Sequence, residues 1–325
     1  MMRKSLLVVN ADDFGYSDER DDGIVECYRN GHISSVSLLV NGVRAENAAK
    51  LAKQNNMHLV TGLHVNLTEG QPIGQGYRTL IRNGCFLGKF GFREAVNEGQ
   101  LDIIEVRREI QAQIDKFREL MGNEPYHADG HQHIHVIPGI VETFAAVLSE
   151  NHVKVTRLPR ERGVVSEVWA TPQQAGFMKE VVHQSEHASK VFSSHKLWYA
   201  SISPSHKLWT CDEFIGLRTM GSNMTIDRVT SHLSEVYDIT DSPEPDKRTD
   251  IAAGQERVVT CEWMVHPGHV TSGEGGCGEG PDDFSKSHDR QHEIDILSDK
   301  ALVNVYRSMN ITMTNFKDCF TTIKS

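Results

Sequence analysis

Apolar positions in the first third of the chain alternate between short continuous runs and stretches with helical spacing. Ser5 to Asn10, Ile33 to Val40 and Leu59 to Leu67 read as buried strands. Between them, Asp18 to Asn30 carries Ile24, Val25 and Tyr28 on one helical face, with Gly31 as a stop. Ala45 to Gln54 carries Ala48, Leu51 and Ala52 in the same way. Strand, helix, strand, helix, strand predicts a parallel sheet with right-handed crossovers. Glu69 to Phe92, rich in Gly and aromatics, reads as a long loop of the kind that binds or covers a site. An amphipathic helix is expected from Asp102 to Met121, stopped by Gly122. A strand (Pro125 to Asp129), a helix (Pro138 to Glu150) and a further strand (Val153 to Leu158) follow.

Beyond Pro159 the alternation fades. Val258 to Val265 reads as a strand, Ser298 to Met309 as a final helix and Ile311 to Thr314 as a short strand. Gly273 to Pro281 reads as a flexible loop. The pentapeptide SHKLW occurs twice, at Ser194–Trp198 and Ser205–Trp209, which suggests a local duplication in a surface loop. The pattern points to one α/β domain over residues 1–325, barrel-like, with long loop insertions at 193–212 and 240–256.

Composition narrows the function class. The chain has 325 residues, 38% hydrophobic and 24% charged, which excludes wholesale disorder and rod-like folds. Thirty-four basic against 44 acidic residues give a net charge of -10, and no Lys/Arg block tracks a phosphate backbone, so no nucleic-acid partner is expected. No apolar run reaches the ~20 residues of a membrane helix, and the short run from Leu6 to Val9 is no secretion signal. Six scattered cysteines without a C-x-x-C pair fit reduced thiols and a cytoplasmic setting. A symmetric homodimer is the base-rate expectation for a barrel enzyme.

Seventeen histidines are the outlier, and they cluster with carboxylates where strands end. Sites in parallel α/β folds gather there. Asn10–Gly15 (NADDFG) holds two adjacent carboxylates, a pair that also serves as a helix cap or turn. Gly62–Leu67 (GLHVNL) places His64 inside an apolar alternation. His127–His135 (HADGHQHIH) puts four His and Asp129 within nine residues. His266-Pro267-Gly268-His269 ends a late strand, and His266 is a candidate general acid. Together they offer two imidazoles and a carboxylate for a metal, leaving positions open for water and substrate. Such a metal activates water, a carboxylate takes its proton, and a second group protonates the leaving amine. Amide hydrolysis suits this chemistry; an iron oxygenase uses a similar ligand set, but no co-substrate site is evident.

The runs VVNADDFGYSDERDDGIVECYRNGHISSVSLLVNG, TGLHVNLTEGQPIG, HADGHQHIHVIPG and MVHPGH resemble the YdjC-like carbohydrate deacetylase family, which includes bacterial chitooligosaccharide deacetylases. FLGKFGFREAV and GGCGEGPDDFS resemble its animal branch. The resemblance spans about Leu6 to Asp289. It implies a deformed (β/α) barrel and hydrolysis of an acetamido group on an N-acetylated oligosaccharide. By motif position it implies Asp12 as general base, His266 as acid, and Asp13, His64 and His131 as metal ligands. Asp129 and His133 would stand behind the ligands or face substrate, and Arg157 would reach Asp12 or substrate. The family implies magnesium; two imidazoles favour zinc, nickel, cobalt or manganese. The segment Tyr199–Trp209 departs from the family pattern as an insertion. A competing reading is a catalytically idle, metal-binding paralogue that acts as a binding or regulatory protein. Phe86, Phe90 and Phe92 either stack on sugar rings or pack the loop onto the barrel.

Overall fold

A computed structural model describes residues 3–54, 59–164, 170–194, 207–237, 257–270, 273–278, 280 and 282–324. The first SHKLW copy, apart from Ser194, lies outside these residues, as does the whole of 240–256.

The chain starts with β1 (Arg3–Phe14), α1 (Asp18–Arg29), β2 (Ser35–Leu38), α2 (Ala45–Lys53) and β3 (Val60–Val65), the predicted alternation. The predicted loop from Glu69 to Phe92 is more structured than its composition suggests. It holds a small hairpin, β4 (Ile81–Arg82) and β5 (Cys85–Phe86), and the start of α3 (Gly88–Asn97). Glu105 and Glu109 explain the order: they accept hydrogen bonds from the backbone N–H groups of Ile73, Gly74, Arg78, Thr79 and Leu80. Both glutamates sit on α4 (Ile103–Met121), which Asp102 caps and Gly122 ends with a φ of 77°. Next come β6 (Ala128–Gly130) and α5 (Val141–Glu150).

The region past Pro159 departs most from the sequence reading. It contains α6 (Pro172–Ser193), β7 (Glu213–Ile215) and α7 (Ile226–Tyr237) before β8 (Arg257–Val265). After β8 come α8 (Asp283–Lys286), α9 (Asp289–Leu297), α10 (Lys300–Ser308), β9 (Ile311–Met313) and α11 (Phe316–Lys324). The helix at 300–308 is therefore not the last. The glycine-rich segment is a strap where it is described, pinned by Gly276 N–H to the Tyr16 carbonyl and by Gln71 N–H to the Cys277 carbonyl.

One parallel sheet runs β6-β3-β2-β1-β8-β7, with β9 also on β1. The sheet curls into a half-barrel with helices around it. Beyond β6 it continues through bridges Ala128–Thr156 and Val155–Trp209. Trp209 lies four residues before β7, so these isolated bridges lead from the β6 edge toward the segment that carries β7. The predicted strand at Val153–Leu158 is reduced to these two bridges.

Alternation along β1 sorts the interior. Leu7, Val9 and Ala11 pack in the main core with the helices. Leu6 and Val8 meet Val60, Val155, Phe316 and Cys319, so α11 fills one end of the half-barrel with apolar side chains. Asn10 and Asp12, further along the same face of β1, carry polar groups at the carboxyl end. Gly62 lets His127 lie across β3: a Cβ there would come within 2.4 Å of the His127 ring. Gly62→Ala should lower stability by roughly 1–3 kcal/mol through this overpacking. Urea unfolding followed by circular dichroism checks it; an unchanged midpoint would show that His127 can move aside.

Candidate metal and catalytic site

The two aspartates of NADDFG lie in the strand, not after it. The β1–β2 register steps from Ala11–Val36 to Phe14–Leu38, so one extra residue bulges out at Asp12–Asp13. Asp13 takes a φ of 64°, in the left-handed region. A regular strand would send adjacent side chains to opposite faces. The bulge turns both carboxylates toward His64, whose Nε2 lies 3.9 Å from Asp12 Oδ2 and 3.4 Å from Asp13 Oδ1.

Register supplies the next contact. His64 and Asp129 are direct neighbours on β3 and β6. His64 Nδ1 donates to Asp129 Oδ1 at 2.5 Å, which turns Nε2 toward Asp13. Asp129 is fully buried behind His64 and does not line the cleft. His131 follows β6, and its Nδ1 lies 3.1 Å from Asp13 Oδ1 and 3.3 Å from His64 Nε2. Asp13, His64 and His131 thus converge as one candidate ligand group.

These residues fit a divalent cation. Asp13 Oδ1 is buried and accepts no hydrogen bond among the described residues, although two imidazole nitrogens point at it. Both ligand-side imidazoles have carboxylates on their far nitrogens, Asp129 for His64 and Glu69 for His131 (Nε2–Oε2 3.0 Å). Metal-binding histidines are commonly held this way. Burial opposes protonation of His64, but the charges of Asp129 and Asp12 outweigh it and raise the ring to about 10. His131 is raised to about 9, burial being outweighed by the facing carboxylates of Asp13 and Glu69. Burial pushes Asp13 up, but His131 and His64 hold it well below the usual carboxylate range. The surroundings draw positive charge to this point.

Asp12 is held differently. Arg157 grips it bidentately, Nη1 to Oδ2 and Nη2 to Oδ1, both at 2.6 Å. The same buried guanidinium meets Glu262 through Nε at 2.7 Å and Asp129 through Nη2 at 3.1 Å. Arg157 therefore contacts Asp12 and not the cleft. His266 continues the β1–β8 register and stands with Nε2 4.0 Å from Asp12 Oδ2. Burial pushes its ring down to about 3, despite Asp13 and Asp12 nearby.

The remaining histidines of the cluster separate by role. His127 contacts Ser37 and Phe316, and His135 donates to the Arg157 carbonyl; neither reaches the ligand group. His133 lines the cleft, 5% exposed. The cleft is about 290 Å³ and opens over Asp12, Asp13, His64, His131 and His266. Phe86 and Phe92 are buried, so they pack the loop; Phe90, 53% exposed, lines the cleft beside Phe177 and Phe284.

The YdjC-like protein family matches residues 6–308. The chain belongs to the YdjC-like family. Among its YdjC-like relatives, a Danio rerio protein named carbohydrate deacetylase is 43% identical over 321 residues, 97% of this chain and 98% of its own length. A Homo sapiens protein of the same name is 44% identical over 301 residues, 91% and 85% of the two chains. A Proteus mirabilis protein named chitooligosaccharide deacetylase is 43% identical over 155 residues, 47% and 60% of the two. A solved structure from Enterococcus faecalis V583 shares the fold, with a TM-score of 0.66 at 18% identity over 97% of this chain and 99% of that one.

Sequence reasoning missed Glu69, Tyr16, Arg20 and Glu262. Tyr16 donates to Glu69 Oε1 at 3.0 Å, and Arg20 Nη1 holds the other oxygen of Asp13 at 3.2 Å. Glu69 and Tyr16 were legible only as members of loops that follow β3 and β1. No helix among the described residues is long and apolar enough to cross a membrane, and none of the six cysteines is in a disulfide.

Proposed function

We propose that this chain is a metal-dependent hydrolase that removes acetyl groups from N-acetylated carbohydrates, chitooligosaccharides among them. The observation that carries the reading is the convergence of Asp13, His64 and His131 beside an Arg-held Asp12 at the floor of an aromatic-rimmed cleft. The names of the relatives supply the substrate class.

Asp13, His64 and His131 would hold the cation. A divalent cation supplies Lewis acidity, drawing electron density from a carbonyl oxygen and making water a stronger acid. Asp12 takes a proton from the water that attacks the acetamide carbon. Arg157 fixes the plane of Asp12 through both oxygens, leaving the second lone pair of Oδ2 toward His64 and His266. His266 gives the proton to the amine as the C–N bond breaks, and acetate leaves. Because burial keeps this imidazole neutral, its proton arrives during the reaction from Asp12, relayed by one water across a 4.0 Å separation that is too long for direct transfer.

Two imidazoles and one carboxylate favour zinc, nickel, cobalt or manganese over magnesium. Acetate release from N-acetylglucosamine oligomers, before and after chelation and with each metal restored singly, tests the whole reading. Release should fall to background on chelation and return with one or more of these metals. Asp13→Ala should bind no metal by calorimetry while keeping the wild-type circular dichroism spectrum. Release that persists in a sample shown to be metal-free would end the metal-dependent reading.

A further inference from the structure

Two of the three candidate ligands are held from behind by the same piece of the cleft rim. The first hold runs through Glu69 and Tyr16. Glu69 Oε2 lies 3.0 Å from His131 Nε2, and Glu69 Oε1 accepts from the Tyr16 hydroxyl at 3.0 Å. The Tyr16 oxygen accepts in turn from the Asp282 backbone N–H at 2.9 Å. The second hold runs through Arg20. Its Nη1 donates to Asp13 Oδ2 at 3.2 Å and its Nη2 to Ser285 Oγ at 3.1 Å. Tyr16 and Arg20 are both buried, and the guanidinium lies 5.6 Å from the Tyr16 ring centroid, so the two holds run side by side.

The rim they reach is one piece. Asp282 caps α8: its side chain accepts from the Ser285 N–H at 2.8 Å and its carbonyl from the Lys286 N–H at 3.1 Å. Asp282 and Ser285 therefore move together. Between them, Phe284 stands edge-on to His266, with ring centroids 5.2 Å apart and planes at 88°. Asp282, Phe284 and Ser285 all line the cleft. Asp13, His64 and His131 lie outside this segment, so a cation there would reach it only through the two holds.

We propose that Tyr16, Glu69 and Arg20 are positioning residues that couple the cation to the rim, so that loading Asp13 and His131 seats residues 282–286 at the cleft. The proposal rests on the metal-binding part of the reading above and needs no particular substrate. A cation fixes the two side chains it joins, and the groups that grip them from behind are fixed with them. The coupling is reciprocal: if the cation steadies the rim, the steadied rim tightens the cation by the same factor, typically about 5- to 150-fold. Seating the rim also holds Phe284 against His266, which shields that imidazole from bulk water once the cation is in place.

The test uses full-length protein and zinc alone. Calorimetry gives the zinc affinity, and hydrogen exchange of the peptide covering 282–286 reports the rim. Zinc should slow that exchange in wild type by about tenfold or more. Glu69→Gln leaves one acceptor for two donors and should weaken zinc by about 10- to 100-fold. Tyr16→Phe removes one hydroxyl and should weaken zinc by about 3- to 10-fold while shrinking the slowing of the rim. Ser285→Ala, a rim residue outside the ligand group, should weaken zinc by a similar factor, and it carries the test if Tyr16→Phe folds poorly. Tyr16→Phe added to Glu69→Gln should cost no further affinity, because Tyr16 acts through Glu69. A merely structural role would lower melting temperatures and leave zinc affinity alone. Wild-type zinc affinity in both Tyr16→Phe and Ser285→Ala, or a rim that zinc does not slow, would overturn the coupling and keep the metal site. A wild-type protein that binds neither zinc nor nickel, cobalt or manganese would overturn both. A coupled rim without acetate release would keep the coupling and sink deacetylation.

Discussion

Asp12→Asn is expected to lower kcat for acetate release by about 10²- to 10⁴-fold, the usual contribution of a positioned base. The change is nearly isosteric, but an amide does not take a proton from water. It also leaves Arg157 with one acceptor in place of the bidentate pair it grips through both Asp12 oxygens. Metal affinity should change much less, because Arg157 occupies both Asp12 oxygens and Asp12 stands outside the group formed by Asp13, His64 and His131. Calorimetric metal titration beside steady-state kinetics separates the two effects. A kcat within tenfold of wild type would remove Asp12 from the base role. Equal losses in metal binding and kcat would make it a ligand instead.

The second large effect concerns stability. Arg157→Met should cost roughly 3–5 kcal/mol at neutral pH, because it strands carboxylates around an apolar side chain. Arg157 is fully buried and meets Asp12, Asp129 and Glu262 at once. The pH dependence carries a sign. Burial pushes Asp129 up, but Arg157 and His64 pull it further down, well below its ordinary value of 3.8. A depressed carboxyl stabilises the fold at pH values above its unfolded value, and that stabilisation fades as pH falls through the folded one. The deficit of the Arg157 variant should therefore be greatest near neutrality and shrink below about pH 4. Glu262 behaves oppositely: burial outweighs its bond to Arg157 and lifts it to about 7. Chemical denaturation at several pH values measures the difference. A deficit that does not depend on pH would mean that Arg157 acts by packing alone.

Asp12, Asp13, His64, His131 and His266, which meet in one cleft, were legible because each sits in a polar cluster that interrupts an apolar run, and strand ends gather in space. The bulge at Asp12–Asp13 was not legible. Nothing in NADDFG distinguishes a bulged strand from a turn after one, yet the bulge is what brings both carboxylates to one side. Glu69, Tyr16 and Glu262 are lone residues whose partners lie far away in sequence, so no spacing reveals them. The helices past Pro159 had signals that the fading alternation obscured. Thr171–Gln174 is a capping box in which Pro172 opens α6. Val229, Leu233 and Val236 form a regular buried stripe on α7. The order in Glu69–Phe92 depends on two glutamates of a helix that begins beyond it, a tertiary cause that local composition does not carry.

β1 has neighbours on both sides: β8 along Arg3–Ala11, with β9 and then β2 on the other edge. Where it is paired on both edges, its amides exchange with solvent only when the sheet opens. The carboxylates at its end are therefore carried on an element expected to open late. Heat inactivation should then coincide with global unfolding, and a protease that nicks surface loops should leave the arrangement of these groups intact until the sheet itself gives way.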